Sequence, residues 1–311
     1  MEILIFGGTL FMGKMLCEKL CANGHKLTIV SRREPDNLTE IKYINADRKS
    51  YQQLATKLQN RSFDTVIDML NYSSFDSSVI EKLINQKIIS CGHYIFTSSS
   101  HVYLPEGGKE LVESAFDPFT YNSTDSDRPK ISYSEGKRRA EAYLFQNMAG
   151  IPITAIRLPV ALGANDPSER FTNLFEKILD KKHVPLSNNA QPISLVWAND
   201  AADFLYWTAT KKLSGIYNAG SPETFSEGEI HELFLSILKS KKKITHINYR
   251  REKRPFYSKV PLTLDCSKAT SQGFNFTPAF DWIRLEVSQL LSKLEYNPSS
   301  IHHAETMNNT E

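Results

Sequence analysis

Short apolar runs recur through the first half of the chain and alternate with stretches whose apolar residues repeat at helical spacing. The runs fall at Ile3–Phe6, Lys26–Ser31, Lys42–Asn45, Thr65–Met69, Tyr94–Ser98 and Thr154–Leu158, with a helix expected between successive runs. Strands that read as near-continuous apolar runs are buried on both faces, so the pattern predicts a parallel sheet covered by helices on both sides. After Gly163 the pattern loosens. Strands are expected at Ile193–Trp197 and Ile216–Asn218, and helices at Glu227–Lys239 and Asp281–Leu294. The residues from 297 to 311 are polar and patternless, a composition expected to be disordered.

The first run, ILIF, leads directly into GGTLFMG and then into a helix expected to begin near Gly13. Glycines at a strand-to-helix turn let backbone N–H groups approach a pyrophosphate at the helix N-terminus, so Gly7, Gly8, Thr9, Phe11, Met12 and Gly13 are candidate dinucleotide contacts. Leu10 stands where a GxxGxxG spacing would have its middle glycine. Together the turn and the strand-helix alternation predict an α/β fold, a Rossmann-like doubly wound sheet with a smaller C-terminal α/β region that holds the substrate. The expected division is 1–160 for an NAD(P)-binding part and 161–296 for a substrate-binding part, closely packed against the first or one domain with it.

The second strand ends in Ser31, Arg32 and Arg33 rather than in an acid. A carboxylate there would hold an adenosine ribose hydroxyl, whereas guanidinium groups suit a 2′-phosphate, so the expected cofactor is NADP or NAD with NADP favoured. Solvated arginines are the plainer alternative. Asp47 and Arg48 follow the third strand, where they would meet the adenine edge, although Asp47 also suits a helix N-cap.

Two further features lie later in the chain. In ISYSEGKRRAE, Tyr133 and Lys137 are one helical turn apart and project from one face. A cation beside a phenol favours the phenolate, which would bring Tyr133 toward a working acid/base pKa. Taken alone, the spacing also describes two exposed residues on a charged helix. In FTSSSHVY a strand ends in hydroxyls, and Ser99, four residues before Tyr103, is the candidate donor to a substrate oxygen, with Ser100 beside it. Serines at strand ends also form turns.

Composition excludes more than it selects. The chain has 311 residues, enough for a large core, and a net charge of +2 makes no global case for nucleic acid or membrane. Its Met1-Glu2 start runs straight into an apolar segment without a basic leader, and no apolar run is long enough to span a bilayer, so a cytoplasmic location is expected. The four cysteines form no CxxC pair and the eight histidines form no HExxH, so no metal site is expected.

The set of motifs resembles the extended short-chain dehydrogenase/reductase superfamily, and within it the NAD-dependent epimerase/dehydratase family. The resemblance rests on GGTLFMG, SSSHVY, YSEGK, IRLPVALG, VWANDAADF, YNAGSPE and LDCSKA, and so spans nearly the whole chain before its polar tail. It implies catalytic roles for Ser99, Tyr133 and Lys137, with Lys137 also holding the nicotinamide ribose. Asp200 is implied to be a structural cap. A nucleotide sugar is the implied substrate, its diphosphate met by a cation such as Arg170, Arg250, Arg251 or Arg254, and a homodimer is the implied assembly.

Departures narrow the implied activity. Sugar 4,6-dehydratases carry an acidic pair after the active-site hydroxyl, and this chain has Ser100-His101, which disfavours dehydration. ALGA replaces VYGP at Ala161 to Ala164, and Leu104 replaces the glycine common after VY. Replacement of the middle glycine resembles an atypical branch that includes chloroplast stem-loop RNA-binding relatives. The rival reading is therefore a Rossmann protein that binds RNA through the basic stretch from Lys239 to Arg254, or a regulator that senses a dinucleotide. Nucleic acid is disfavoured because the Ser/Tyr/Lys trio is intact.

Overall fold

The computed structural model describes residues 1–32, 41–122, 131–179, 189–239 and 256–296, with the side chains of 239 and 294–296 left aside. The first elements in chain order are β1 (Glu2–Phe6), α1 (Phe11–Ala22), β2 (Lys26–Ser31), β3 (Lys42–Asn45), α2 (Tyr51–Leu58), β4 (Arg61–Phe63) and β5 (Thr65–Asp68). They are followed by α3 (Ser74–Asn85), β6 (Ile89–Cys91), β7 (Tyr94–Ser99), a 3-10 turn at Ser100–Tyr103, β8 (Gly108–Leu111) and α4 (Tyr133–Asn147). Next are β9 (Ile153–Leu158), β10 (Val160–Leu162), α5 (Arg170–Leu179), β11 (Ile193–Trp197), α6 (Ala198–Lys211) and β12 (Gly215–Asn218). The last are β13 (Thr224–Phe225), α7 (Glu227–Lys239), β14 (Leu262–Leu264), α8 (Ser267–Ser271) and α9 (Ala279–Tyr296).

Seven strands form one parallel sheet in the order β12-β9-β7-β5-β1-β2-β3. The order runs outward in both directions from β1, which makes the sheet doubly wound and opens a crevice beyond the carboxyl ends of β1 and β5. Helices α1 and α6 cover one face, where Leu16, Cys17 and Leu20 pack with Ile3, Ile29, Ala201 and Leu205. Helices α2, α3 and α4 cover the other through Leu54, Ile80, Leu83, Ala140 and Leu144. β7 is buried at all six positions, hydroxyl residues included, as expected of a central parallel strand.

A smaller sheet, β10-β11-β14-β8 with β13 on β11, lies over a third core in which Phe171, Phe234 and Trp282 are buried. The two layers exchange strands: β8 precedes α4 yet belongs to the small sheet, and β12 comes late in the chain yet closes the edge of the large one. The first three strands match the apolar runs closely, while β7 extends one residue further, to Ser99. The short strands β4, β6, β8, β10, β13 and β14 were not expected, because strands this short and mostly of non-local pairing carry little pattern of their own. Helix α5 was not expected either. Among the described residues no helix is long and apolar enough to cross a membrane.

Candidate functional site

The glycine turn lies at the end of β1. Gly7 has φ +90, a conformation that side chains rarely adopt, and a Cβ on Gly13 would stand 3.1 Å from the Gly7 carbonyl oxygen and 3.2 Å from the Gly8 Cα. The turn is therefore closed as tightly as backbone allows, which is the form that presents N–H groups to a phosphate. Helix α1 starts at Phe11, two residues before the expected Gly13. Leu10 is its N-cap without a side-chain cap, and the Gly13 N–H donates to the Leu10 carbonyl at 3.1 Å. Leu10 is 66% exposed, so a leucyl side chain stands free at the mouth of the turn.

Arg32 is exposed at the end of β2, and Arg33 lies outside the described residues, as do Arg250, Arg251, Arg254 and the rest of the basic stretch beyond Lys239. Asp47 is half-buried and accepts the Lys49 N–H at 2.9 Å, while the N-cap of α2 is Ser50, so Asp47 is not the helix cap. Arg48 departs from the expected adenine edge. Its guanidinium is buried in an ion pair with Asp68 and donates to the Asp76 carbonyl at 2.6 Å. Asp68 also accepts the Tyr94 hydroxyl at 2.8 Å, so Arg48 serves to neutralise a carboxylate inside the sheet.

Helix α4 begins with a serine cap: the Ser132 hydroxyl accepts the Glu135 N–H at 3.2 Å, and the Glu135 carboxylate accepts from the Tyr121 hydroxyl and Arg139. Gly136 lets this helix press on the preceding layer, since a Cβ there would lie 2.4 Å from the Tyr72 carbonyl oxygen. That approach buries Lys137 to 2% exposure. Its Nζ donates to the carbonyls of Asn71 at 2.7 Å and Thr97 at 2.8 Å, and lies 4.5 Å from the centre of the Tyr72 ring. Burial pushes the ammonium down to about 7 against the opposing attraction of Asp68, Asp76 and Glu141.

Ser99 and Tyr133 are neighbours. The His101 N–H donates to Ser99 Oγ at 3.2 Å, and the Ser99 hydroxyl lies near enough to the Tyr133 phenol to act on its pKa. Tyr133 keeps 49% of its surface exposed, yet the groups packed around its hydroxyl desolvate it and raise its pKa above the usual 10. The Ser99 hydroxyl and the positive charge of Arg170 oppose that rise. The lowering expected from Lys137 is not found: it is not among the influences on the phenol, and its ammonium is committed to the Asn71 and Thr97 carbonyls.

Tyr72 and His101 complete the surroundings without belonging to the trio. The Tyr72 ring is 6.3 Å from that of Tyr133, and the His101 ring meets Tyr133 edge-on at 5.4 Å. His101, Ser100 and Arg170 line a cavity of about 180 Å³ together with Ser194 and Tyr257. Behind the trio, Arg157 and Glu141 form a fully buried ion pair at 2.5 Å. Ser98 Oγ donates to Glu141 at 2.5 Å, and Arg157 donates to the Tyr103 hydroxyl at 2.9 Å and to the Glu113 and Phe116 carbonyls. The Tyr103 hydroxyl donates to Asn218, whose amide reaches the carbonyls of Leu111 and Asp265. A charged residue inside the apolar run ITAIRL, and an acid one turn after Lys137 on its own helix face, are the sequence signals of this pair.

Asp200 is in the first turn of α6 rather than at its cap, and it accepts from the Thr277 N–H at 2.6 Å and hydroxyl at 3.0 Å. It fastens the segment that leads into α9 to α6. Among the described residues no group of His, Cys, Asp and Glu side chains is placed to hold a metal ion.

The glycine turn and Ser99 end strands of one doubly wound sheet, α4 brings Tyr133 and buried Lys137 against it, and residues 3–220 match the NAD dependent epimerase/dehydratase family. The chain belongs to that family. Its large parallel sheet is the family's Rossmann-like sheet. The UDP-glucose 4-epimerase of Thermotoga maritima, solved with UDP-glucose, superposes with a TM-score of 0.74 at 17% identity, covering 94% of this chain and 100% of that one. The UDP-glucose 4-epimerase of Thermus thermophilus, solved with NAD, superposes at 0.70 with 17% identity, over 94% of this chain and 99% of that one. The chain is also 27% identical over 212 residues to the chloroplast stem-loop binding protein of 41 kDa b of Arabidopsis thaliana, across 62% of this chain and 50% of that protein. It thus spans about half the length of that curated relative.

Proposed function

We propose that the protein is an NAD(P)-dependent epimerase or oxidoreductase acting on a carbinol or ketone of a sugar nucleotide or a related small molecule. The observation that carries this reading is that Tyr133 and Lys137 stand one turn apart on α4, with the Lys137 ammonium buried on the Asn71 and Thr97 carbonyls and 5.9 Å from the Tyr133 ring centre, and with the Ser99 hydroxyl acting on the phenol. The tight Gly7–Gly13 turn fits a pyrophosphate. Residues 1–160 would hold the cofactor and the trio, and residues 161–296 would supply most of the substrate face. A bound nicotinamide dinucleotide supplies a hydride acceptor or donor, with NADP preferred on the strength of Arg32 and Arg33.

Tyr133 carries the proton. With its pKa raised it is a neutral phenol, ready to donate to the oxygen of a substrate carbonyl and so become phenolate; in the reverse direction that phenolate takes the carbinol proton and becomes phenol again. Ser99 donates a hydrogen bond to the same oxygen and stabilises the charge that develops there. Lys137 holds its ammonium on the Asn71 and Thr97 carbonyls, where it can also meet a ribose hydroxyl. If the ketone turns over and is reduced on its other face, the outcome is epimerisation; if it leaves, the outcome is net oxidation. Ser100-His101 in place of an acidic pair speaks against dehydration.

The test is to identify the dinucleotide that copurifies with the protein and then to follow reduced nicotinamide by absorbance while nucleotide sugars are screened. Tyr133→Phe is expected to abolish turnover and leave cofactor affinity nearly unchanged, and Ser99→Ala to cost about a hundredfold in rate. Turnover retained within a few-fold by Tyr133→Phe would sink the assignment. A second reading, stem-loop binding, draws on the Arabidopsis relative and the basic stretch from Lys239 to Arg254. It predicts salt-dependent retention of RNA by a protein that carries no dinucleotide.

A further inference from the structure

We propose that Tyr72 is a positioning residue for the reaction: the face of its ring, rather than its hydroxyl, seats the Lys137 ammonium beside Tyr133. The contact stands on the geometry of the protein alone, and its effect on cofactor binding rests on the hydride-transfer reading above.

The ammonium lies among three rings. Its Nζ is 4.5 Å from the centre of the Tyr72 ring, 4.9 Å from that of Phe96 and 5.9 Å from that of Tyr133, all within the range at which a cation is drawn to an aromatic face. Two of its three N–H groups go to the Asn71 and Thr97 carbonyls. Among the described residues Lys137 makes no ion pair. Asp68, Asp76 and Glu141 attract it from further off, and Arg48 opposes them. Each of these acids is already committed: Asp68 to Arg48 and the Tyr94 hydroxyl, Glu141 to Arg157 and Ser98, and Asp76 to the Tyr72 N–H and the Ser73 hydroxyl. Ring faces are therefore the remaining short-range support for a buried cation.

Of the three rings only that of Tyr72 has no other task. Phe96 is fully buried in β7 and belongs to the core of the sheet, and Tyr133 is the proposed proton carrier. Tyr72 is 44% exposed on the loop after β5, and its hydroxyl has no hydrogen-bond partner among the described residues. Burial raises the pKa of that hydroxyl, and Tyr133, Asp68 and Asp76 add to the rise, so the ring stays a neutral phenol.

The backbone of Tyr72 is held from two sides. Its N–H donates to Asp76 Oδ2 at 2.9 Å in the first turn of α3, and its carbonyl oxygen would stand 2.4 Å from a Cβ on Gly136 of α4. Leu70 in the same loop packs on the glycine turn, since a Cβ on Gly7 would lie 2.9 Å from its Cγ. One short loop thus joins the glycine turn, the ring over the ammonium and the helix that carries Tyr133 and Lys137.

The experiment is an NMR titration of the full-length protein labelled with carbon-13 at the lysine Cε, the Lys137 signal being assigned by its loss in Lys137→Met. Tyr72→Phe keeps the face and loses the hydroxyl, so its Lys137 should titrate within about 0.3 pH units of wild type. Tyr72→Leu, and a ring-fluorinated phenylalanine at position 72 whose face is depleted of electron density, should each lower that titration by about 0.5–1.5 pH units. The fluorinated ring keeps the shape of the native one, so it decides the matter even where leucine disturbs the loop. Calorimetric titration of NADP and NAD adds a reading that packing alone would not move. Tyr72→Leu should bind the dinucleotide about tenfold more weakly than wild type at pH 8.5 and within about twofold of it at pH 5.5, where both carry the charged lysine. A Lys137 titration unmoved or raised by the fluorinated ring, or moved as far by Tyr72→Phe, would overturn the proposal, as would a loss of affinity equal at both pH values. Failure of either dinucleotide to bind strikes the hydride-transfer reading instead, and the NMR titration, which needs no cofactor, still decides the contact.

Discussion

The Lys137 Nζ lies 5.9 Å from the centre of the Tyr133 ring, and both of its hydrogen bonds run to backbone carbonyls of other segments, Asn71 and Thr97. The lysine is thus fixed by Thr97 in β7 and by Asn71 in the loop after β5 rather than by the tyrosine one turn before it. Its burial makes it the more perturbed of the two groups, with a pKa pushed down to about 7.

That perturbation predicts a pH dependence of stability. Below about pH 7 the folded and unfolded chains both hold the proton, and the cost of burying the ammonium is present in full. Between about 7 and the ordinary value of 10.5 the unfolded chain binds more proton than the folded one, so stability rises with pH. Urea melts of wild type and Lys137→Met from pH 6 to 10 should show wild type gaining on the variant, by on the order of a few kcal/mol. Parallel curves would mean that Lys137 titrates normally in the folded protein.

The end of β2 predicts cofactor choice. Arg32 is exposed there, Arg33 follows it in sequence, and no acid ends the strand. NADP(H) should bind more tightly than NAD(H), and replacing both arginines by alanine should weaken NADP(H) by about 1.5–3 kcal/mol with little change for NAD(H). Equal affinities in wild type, or a parallel loss for both dinucleotides, would show that these side chains only face solvent.

The buried pair behind the trio predicts a stability asymmetry. Arg157→Met strands the Glu141 carboxylate in the core and should cost about 3–5 kcal/mol in denaturant unfolding. Adding Glu141→Leu should recover a substantial part of that loss, because the orphaned charge goes with it. A single variant within about 1 kcal/mol of wild type would mean that water reaches Glu141 and that the pair does not brace the Tyr103–Asn218 junction.

The main sheet was legible in the sequence because its strands are buried on both faces. Ile3–Phe6 and positions 27–30 of β2 are buried throughout and read as near-continuous apolar runs, whereas the edge strand β3 buries only Ile44; the glycines of GGTLFMG had to stand where backbone closes on itself. The pairing of Tyr133 with Lys137 was legible for a similar reason, since a helix places residues four apart on one face whatever surrounds it. These are local constraints, each set by a few neighbouring residues.

Tertiary structure alone decided what each group touches. Arg48 carried nothing in its local sequence to show that Asp68 would draw it into the sheet, and nothing near Asp200 announced Thr277. Strands as short as β8 and β14 exist only because they pair across the chain, so their apolar pattern is too brief to read. The lowered pKa of Lys137 and the raised pKa of Tyr133 have the same origin, since desolvation is imposed by elements distant in sequence that close over a helix face. Spacing along one helix could bring the two residues together, but only the packing of β5, β7 and the loops beyond them could set how much charge either one bears.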